Sequence, residues 1–224
     1  MSGTSHQCRL QLVIDWDGTV TERDTLLHAL LHFVEPAVFE PLEAELDAAL
    51  SAGTMTHRAV MDREFALLTA PLEDVVAFLL ENVRVRPGFA ELVARFDPLI
   101  LSSSFHETIE PVLAREGVSA RVRANRIDPR PDGWRIRWVS DSDCAACGQP
   151  CKRGSLPDGA FVYVGDGYSD RCAALAACRV FARAGLARYL DQRGVPYEPF
   201  TDLRDVTAAL MSSPQRGEGK ARNT

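Results

Sequence analysis

The stretch Leu10-Gln-Leu-Val-Ile-Asp15-Trp-Asp17-Gly-Thr19 decides the fold. Its apolar run 12–14 is typical of a buried parallel strand, and the run stops at two carboxylates separated by one tryptophan. Because side chains alternate along an extended chain, Asp15 and Asp17 are predicted to share one side of the strand end. Reactive groups of open α/β sheets lie beyond such ends. Neighbouring carboxylates need a cation, and hard oxygen ligands suit Mg²⁺.

The composition is that of an ordinary globular chain. Its 224 residues are 46% hydrophobic and 25% charged, with a net charge of −6 that disfavours nucleic acid and anionic membranes as partners. No apolar run approaches the ~20 residues of a membrane span, and the start lacks the pattern of a signal peptide. We therefore expect a cytoplasmic protein, monomeric or homodimeric. The polar tail 213–224 is predicted to be disordered.

Four helical patterns follow the first strand with no strand between them. Their start signals are Asp24 or Thr25, Pro36, Thr54 and Pro71. Such a run predicts a separate helical subdomain over residues 22–84, inserted into a core formed by residues 1–21 and 85–212. In the core, apolar runs at 98–101, 160–164 and 179–182 alternate with helical patterns, and 120–127 pairs with 134–139 as a hairpin. This alternation predicts a parallel sheet flanked by helices.

Polar residues stand at the ends of three of the predicted strands. Asp15 and Asp17 end the first, Ser102 ends the second, and Gly165-Asp-Gly-Tyr-Ser-Asp170 ends the third, with Lys152 before it. Adjacent parallel strands bring their ends to one edge of the sheet. The pattern therefore predicts a phosphate bound between Mg²⁺ and a lysine, with a carboxylate free to attack phosphorus.

These four motifs, in this order, resemble those of the haloacid dehalogenase-like phosphatase superfamily over nearly the whole chain. The resemblance implies a Rossmann-like core with a small helical cap and an α/β fold class. It implies that Asp15 is the nucleophile that forms an aspartyl-phosphate, and that Asp17 is the general acid and then the base. It also implies that Mg²⁺ is held by Asp15, the Asp17 backbone carbonyl and Asp166, with Asp170 in support.

The same resemblance implies a phosphate-binding set. Ser102 and the backbone N–H of Ser103 hold phosphoryl oxygens, and Lys152 neutralises charge. The hydroxyls of Ser103 and Ser104 are alternatives to that of Ser102, and Arg153 competes with Lys152.

Two branches of the superfamily are candidates for this chain, and they imply different substrates. The methionine-salvage 2-hydroxy-3-keto-5-methylthiopentenyl-1-phosphate phosphatases resemble this chain in Arg86-Pro-Gly-Phe89, in Cys147-Gly-Gln-Pro-Cys151-Lys152, in Val180-Phe-Ala-Arg183 and in the run 194–200. The phosphoserine phosphatases are the alternative. A dehalogenase-type hydrolase and a non-catalytic, zinc-organised binding module are alternatives of other classes.

Three further features have two interpretations each. Asp24 and Arg86 are either structural or substrate-contacting. The spacing Cys144-x-x-Cys147-x-x-x-Cys151 is that of a structural Zn²⁺ site, with Asp141, Asp143 or Cys8 as the fourth ligand, or of reduced thiols in a loop. Cys172 and Cys178 are interpreted as packing residues.

Overall fold

The computed structural model describes residues 11–212 and contains one seven-stranded sheet with the order β4-β3-β2-β1-β5-β6-β7. All neighbouring strands are parallel except β3 and β4. The strands are β1 Gln11–Ile14, β2 Leu99–Phe105, β3 Arg121–Asp128, β4 Arg135–Arg137, β5 Phe161–Gly165, β6 Arg179–Ala182 and β7 Glu198–Pro199. The predicted parallel sheet is confirmed, with the predicted hairpin at one edge.

Strand β1 lies in the middle of the sheet, between β2 and β5. Ile14 pairs with Ile100 on one side and with Val164 on the other. This register puts Asp15 level with Leu101 and Gly165, so that Ser102 and Asp166 lie one residue further along their own chain segments. The sheet therefore brings the three predicted strand ends to the same place.

The helices flank the sheet. They are α1 Thr25–Phe33, α2 Pro36–Ser51, α3 His57–Phe65, α4 Leu72–Asn82, α5 Phe89–Phe96, α6 His106–Arg115, α7 Arg171–Ala174, α8 Ala184–Arg193 and α9 Leu203–Ser212. Helices α1 to α4 form the insert, defined here as residues 22–84. An isolated antiparallel bridge between Thr21 and Val85 joins the two chain segments where this insert leaves and re-enters the core.

Alternation along β1 divides the core between the two faces of the sheet. Leu12 and Ile14 belong to a large apolar cluster that continues into the insert through Phe39 and Phe65, whereas Val13 faces a smaller cluster under α7 and α8. Burial of both faces explains why the strand is a continuous apolar run. Among residues 11–212, no helix combines the length and the hydropathy of a membrane span.

Some element boundaries differ from the sequence-based predictions. Helix α3 begins at His57 and not after Thr54, because the Thr56 hydroxyl accepts the hydrogen bond from the Ala59 amide. Strand β2 continues through the serines to Phe105, which pairs with Asn125 of β3 beyond a break in the register after Leu101. Strand β7 was not predicted, and two residues are too few for an apolar pattern to reveal. The predicted disordered tail 213–224 lies outside the described residues.

Candidate active site

A buried lysine joins two aspartates at the centre of the sheet edge. The Lys152 ammonium contacts the carboxylate of Asp15, which directly follows β1, and donates to Asp170 Oδ1 at 2.7 Å. All three side chains are at most 6% exposed. Burial lowers the pKa of Lys152, but the two carboxylates outweigh it and hold that pKa above its usual value, so the lysine stays charged. The competing Arg153 is exposed to solvent.

Asp170 uses both of its carboxylate oxygens within the protein. Oδ1 accepts from Lys152 and from the Tyr163 hydroxyl, each at 2.7 Å, and Oδ2 accepts from the backbone amides of Asp166 and Gly167, each at 2.9 Å. Burial alone would raise its pKa, but Lys152 and these amides hold the pKa below its usual value. Asp170 thus fixes the backbone of the loop that carries Asp166.

Asp15, Asp166 and Asp170 form a group of carboxylates that fits a divalent cation. One oxygen of each lies within 4.8 Å of the others. Burial and repulsion from Asp170 raise the pKa of Asp15 well above its usual range, against the pull of Lys152, and raise that of Asp166 to about 6. A single lysine thus leaves negative charge uncompensated among oxygen donors, which is the donor chemistry that Mg²⁺ prefers. The Thr19 hydroxyl orients Asp166 by donating to its Oδ1 at 2.9 Å.

Gly18 makes room for the Asp166 carboxylate. It has a φ of +71°, and a Cβ at this position would lie 2.3 Å from Asp166 Oδ2. Its carbonyl oxygen accepts from both Arg86 and Arg183, at 3.0 Å each. A glycine after Asp17 therefore permits both the left-handed backbone and the close approach of the carboxylate.

Asp17 lies on the wall of a cavity of about 500 Å³ between the core and the insert. Its Oδ1 accepts hydrogen bonds from the Thr25 amide, at 2.9 Å, and from the Thr25 hydroxyl. Burial and repulsion from Asp24 raise the pKa of Asp17 to about 7. A carboxyl with this pKa is suited to give up and to take back a proton near neutral pH.

The serines after the apolar part of β2 reach the same cavity. Ser102 is 3% exposed, and its hydroxyl accepts from the Ser104 amide at 2.9 Å. Ser103 lines the cavity with Ser102, and its carbonyl oxygen accepts from Asn125 at 2.7 Å. The Ser104 hydroxyl instead lies 3.3 Å from that of Thr108 on α6.

Asp24 and Arg86 have different surroundings. Asp24 lines the cavity and also caps α1, since its Oδ1 accepts from the Leu27 amide at 2.9 Å. Within residues 11–212, the Arg86 guanidinium donates to the backbone carbonyls of residues 18, 19, 21 and 201, at 3.0–3.2 Å. It does not line the cavity. These contacts favour the structural interpretation of Arg86, which fixes the loop after β1.

The insert contributes a group of acidic side chains that sequence reasoning missed. Glu43, Asp47 and Glu64 line the cavity with Asp24. Burial and repulsion from Asp24 and the other two acids raise the pKa of Glu64 to about 7. These acids are spread over α2 and α3 without a motif, so only the packing of the two helices brings them together.

His57 also went unnoticed in the sequence. It begins α3, stacks on the Tyr168 ring with centroids 5.9 Å apart, and lines the cavity. Burial and the nearby Lys152 charge lower its pKa to about 4, so the imidazole is neutral at physiological pH.

The group of cysteines around the loop before Lys152 has a fourth member that differs from the predicted ones. Cys144, Cys147 and Cys151 come together as expected, but they meet Cys172, which had been interpreted as a packing residue. Asp141 is paired with Arg58 at 2.6 Å, Asp143 is not part of the group, and Cys8 lies outside the described residues.

Solved structures with a similar fold include a phosphoserine phosphohydrolase-like protein from Francisella tularensis, with a TM-score of 0.65 and 19% identity, covering 90% of this chain and 100% of that one. The phosphoserine phosphatase from T. onnurineus has a TM-score of 0.64 and 20% identity, and covers 96% of this chain and 100% of its own. These likenesses establish the fold, which is a Rossmann-like α/β core.

The family is established by sequence. Residues 12–175 match the model for haloacid dehalogenase-like hydrolases, and the chain belongs to that family. Proteins named 2-hydroxy-3-keto-5-methylthiopentenyl-1-phosphate phosphatase from Exiguobacterium sibiricum and Geobacillus kaustophilus are 29% and 32% identical to it. Each match covers 91% of this chain and 96–97% of the relative. The resemblance seen in the sequence motifs is thereby confirmed.

Proposed function

We propose that the protein is a Mg²⁺-dependent phosphomonoester phosphatase for a small phosphorylated metabolite, with Asp15 as its nucleophile. The observation that carries this proposal is the contact between two buried groups, Asp15 and Lys152, beside the cation-suited carboxylate of Asp166. An ammonium at this point attracts a phosphoryl dianion and orients the attacking carboxylate.

The reaction has two steps. In the first, a carboxylate oxygen of Asp15 attacks phosphorus, the bond from phosphorus to the ester oxygen breaks, and the Asp17 carboxyl donates its proton to the leaving oxygen. In the second, Asp17 takes a proton from a water that attacks the aspartyl-phosphate, and the bond from phosphorus to Asp15 breaks to release phosphate. Asp17 thus ends in its starting state.

The surrounding groups stabilise charge during both steps. The Ser102 hydroxyl, the Ser103 amide and Lys152 bind phosphoryl oxygens. Asp15, the Asp17 backbone carbonyl and Asp166 would hold Mg²⁺, which supplies positive charge against the negative charge that develops on the phosphoryl group.

The insert acts as a cap in this proposal. Helices α1 to α3 wall the cavity opposite the strand ends and so exclude water and contact the leaving group. We assign residues 22–84 to the cap, and residues 1–21 and 85–212 to the core.

The favoured substrate is 2-hydroxy-3-keto-5-methylthiopentenyl-1-phosphate, which the names of the related phosphatases indicate. Support comes from apolar side chains of the insert that line the cavity and that suit a methylthio group: Leu26, Leu30, Val60, Met61 and Phe65.

Phosphoserine is the second candidate, and the acidic lining of the cavity favours it. Asp24, Glu43, Asp47 and Glu64 lie at the insert side of the cavity, where the leaving group would bind. Burial and repulsion among these acids raise the pKa of Glu64, and a substrate ammonium would offset that repulsion.

A panel of phosphate esters tests the function and separates the candidates. It contains both substrates and p-nitrophenyl phosphate, each assayed with Mg²⁺ and after chelation. We expect hydrolysis that depends on Mg²⁺, with the highest kcat/KM for the methylthiopentenyl ester. Glu64→Gln should lower kcat/KM for phosphoserine more than for p-nitrophenyl phosphate, because only phosphoserine carries an ammonium. Hydrolysis that is indifferent to chelation, or no hydrolysis of any ester, would contradict the proposal.

The other two classes give different results. A dehalogenase-type hydrolase would release halide from a 2-haloacid without metal, and a zinc-organised binding module would show no hydrolysis. A cytoplasmic location, a monomeric or dimeric state and the lack of nucleic-acid or membrane partners stay predictions, and so does a structural Zn²⁺ at Cys144, Cys147 and Cys151.

A further inference from the structure

Four cysteines converge beside the proposed phosphatase site. The sulfur atoms of Cys144, Cys147, Cys151 and Cys172 all lie within 4.8 Å of one another. All four are free thiols. Three come from the loop before Lys152 and the fourth from α7, so that two separate parts of the chain contribute to the group.

The loop is folded in a way that presents its sulfur atoms to a common point. Gly148 has a φ of +69°, and its amide donates to the Cys144 carbonyl at 2.8 Å, which closes a tight turn around Cys144 and Cys147. The Ala146 amide donates to the Cys144 sulfur at 3.4 Å. Such a bond favours the thiolate, which is the form that binds metal.

We propose that these four cysteines bind one structural Zn²⁺ ion. Two residues between the first pair and a closed set of four sulfur ligands are features of structural zinc sites. A Zn–S bond of about 2.3 Å in a tetrahedron separates the sulfur atoms by about 3.8 Å, so the group needs to contract by at most about 1 Å. Cys172 takes the place for which the sequence offered Asp141, Asp143 or Cys8.

The zinc site connects two chain segments that also contribute to the proposed catalytic centre. Cys151 directly precedes Lys152, and Cys172 comes two residues after Asp170. Lys152 and Asp170 are themselves joined by the 2.7 Å hydrogen bond at the strand ends. A metal bound to Cys151 and Cys172 therefore cross-links the same two segments a few residues away. This site is separate from that of Mg²⁺ and does not rest on the proposed activity.

Metal analysis of the full chain tests the site. The chain is purified under reducing conditions without chelator, and its zinc content is measured by elemental analysis. We expect one zinc per chain. In a second measurement, Co²⁺ is added to the metal-free chain, and we expect the visible absorption of tetrahedral cobalt bound by sulfur. The cobalt spectrum uses the unaltered chain and therefore decides the question even where a variant fails to fold.

Two cysteine variants give the matched comparison. Loss of an outer-shell partner lowers metal affinity by about 10–100-fold. Cys172→Ser removes a ligand itself, so it should lower the zinc affinity by more than that. Cys178→Ser changes an exposed cysteine six residues away, whose thiol bonds the Phe161 carbonyl at 2.9 Å, and should leave the zinc content unchanged.

Any of four results would overturn the proposal, the first three of which concern metal binding. These three are a metal-free chain that binds neither zinc nor cobalt, iron in place of zinc, and a zinc affinity that Cys172→Ser leaves unaltered. A disulfide among the four cysteines in the reduced preparation, seen by mass spectrometry, would overturn it as well.

Discussion

Four aspartates at one sheet edge have different pKa values because their burial, neighbouring charges and hydrogen bonds differ. Lys152 and the backbone amides hold the pKa of Asp170 below its usual value against burial, whereas burial and repulsion from Asp24 raise the pKa of Asp17 to about 7 despite its two hydrogen bonds from Thr25. Asp15 and Asp166 have raised pKa values and lie where a cation would restore them to the charged form. Environments that push carboxyl pKa values apart assign them to different tasks.

The raised pKa of Asp17 predicts a pH dependence. The protonated carboxyl donates to the leaving oxygen, and its population falls as pH rises through about 7. For an alkyl phosphate, kcat/KM should therefore decline above that pH. Asp17→Asn should lower the rate by about 10²–10⁴-fold and abolish the decline. With p-nitrophenyl phosphate, whose leaving group needs little protonation, this variant should still phosphorylate Asp15 but release phosphate slowly. A decline of unchanged shape in Asp17→Asn would assign the titration to another group.

Gly18 offers a test of how Asp166 is placed. Gly18→Ala puts a methyl group 2.3 Å from Asp166 Oδ2, so the carboxylate must move and Mg²⁺ should bind more weakly, by about tenfold or more. Gly53→Ala is the matched control, because Gly53 has the same φ of +71° and no atom within 4 Å of the added methyl group. The Mg²⁺ dependence of the rate measures the effect. Equal shifts in both variants would attribute the loss to backbone strain alone.

At the scale of elements, the β3–β4 hairpin anchors the insert to the core. The buried Trp134 donates from Nε1 to the Ala70 carbonyl at 2.9 Å, and its backbone amide donates to the carbonyls of Phe65 and Leu68 at 3.0 Å. A Cβ on Gly133 would lie 2.0 Å from the Ala66 carbonyl oxygen, so the two segments are in close contact. The chain between α3 and α4 is thus held against the hairpin.

This anchor predicts a graded loss of stability. Trp134→Ala should lower the free energy of unfolding by about 3–5 kcal/mol through loss of buried ring area. Trp134→Phe keeps most of that area but leaves the Ala70 carbonyl without its donor. It should therefore lower the free energy of unfolding by about 1–3 kcal/mol. Urea unfolding measures both. Equal losses would show that the ring does not fill the contact.

Most elements of the fold were predictable from sequence. Strands β1 and β5 are continuous apolar runs with both faces buried, and proline or aspartate marked the starts of α1 and α2. The start of α3 was misplaced because Thr54 and Thr56 are both good caps. Strand β2 ran on beyond its apolar part because Phe105 pairs with Asn125 of β3 after a break in the register, which the sequence does not display.

At the scale of the whole molecule, the site residues that could be predicted are those at the ends of apolar strand segments. Asp15 and Asp166 follow β1 and β5, and Ser102 follows the apolar part of β2, so one topological rule places them together. Glu64 and His57 reach the cavity only through the packing of the insert, and Cys172 joins the cysteine loop only because α7 packs beside it. Contacts between separate elements produce no regular spacing of residues that the sequence could reveal.

The covalent step on Asp15 is the most direct test of the account. The chain is mixed with p-nitrophenyl phosphate and Mg²⁺, quenched in acid within one turnover, digested and analysed by mass spectrometry. We predict a phosphoryl group on the peptide that contains Asp15, and no turnover in Asp15→Asn. A phosphoryl group on another residue of the active enzyme, or turnover that persists in Asp15→Asn, would contradict it.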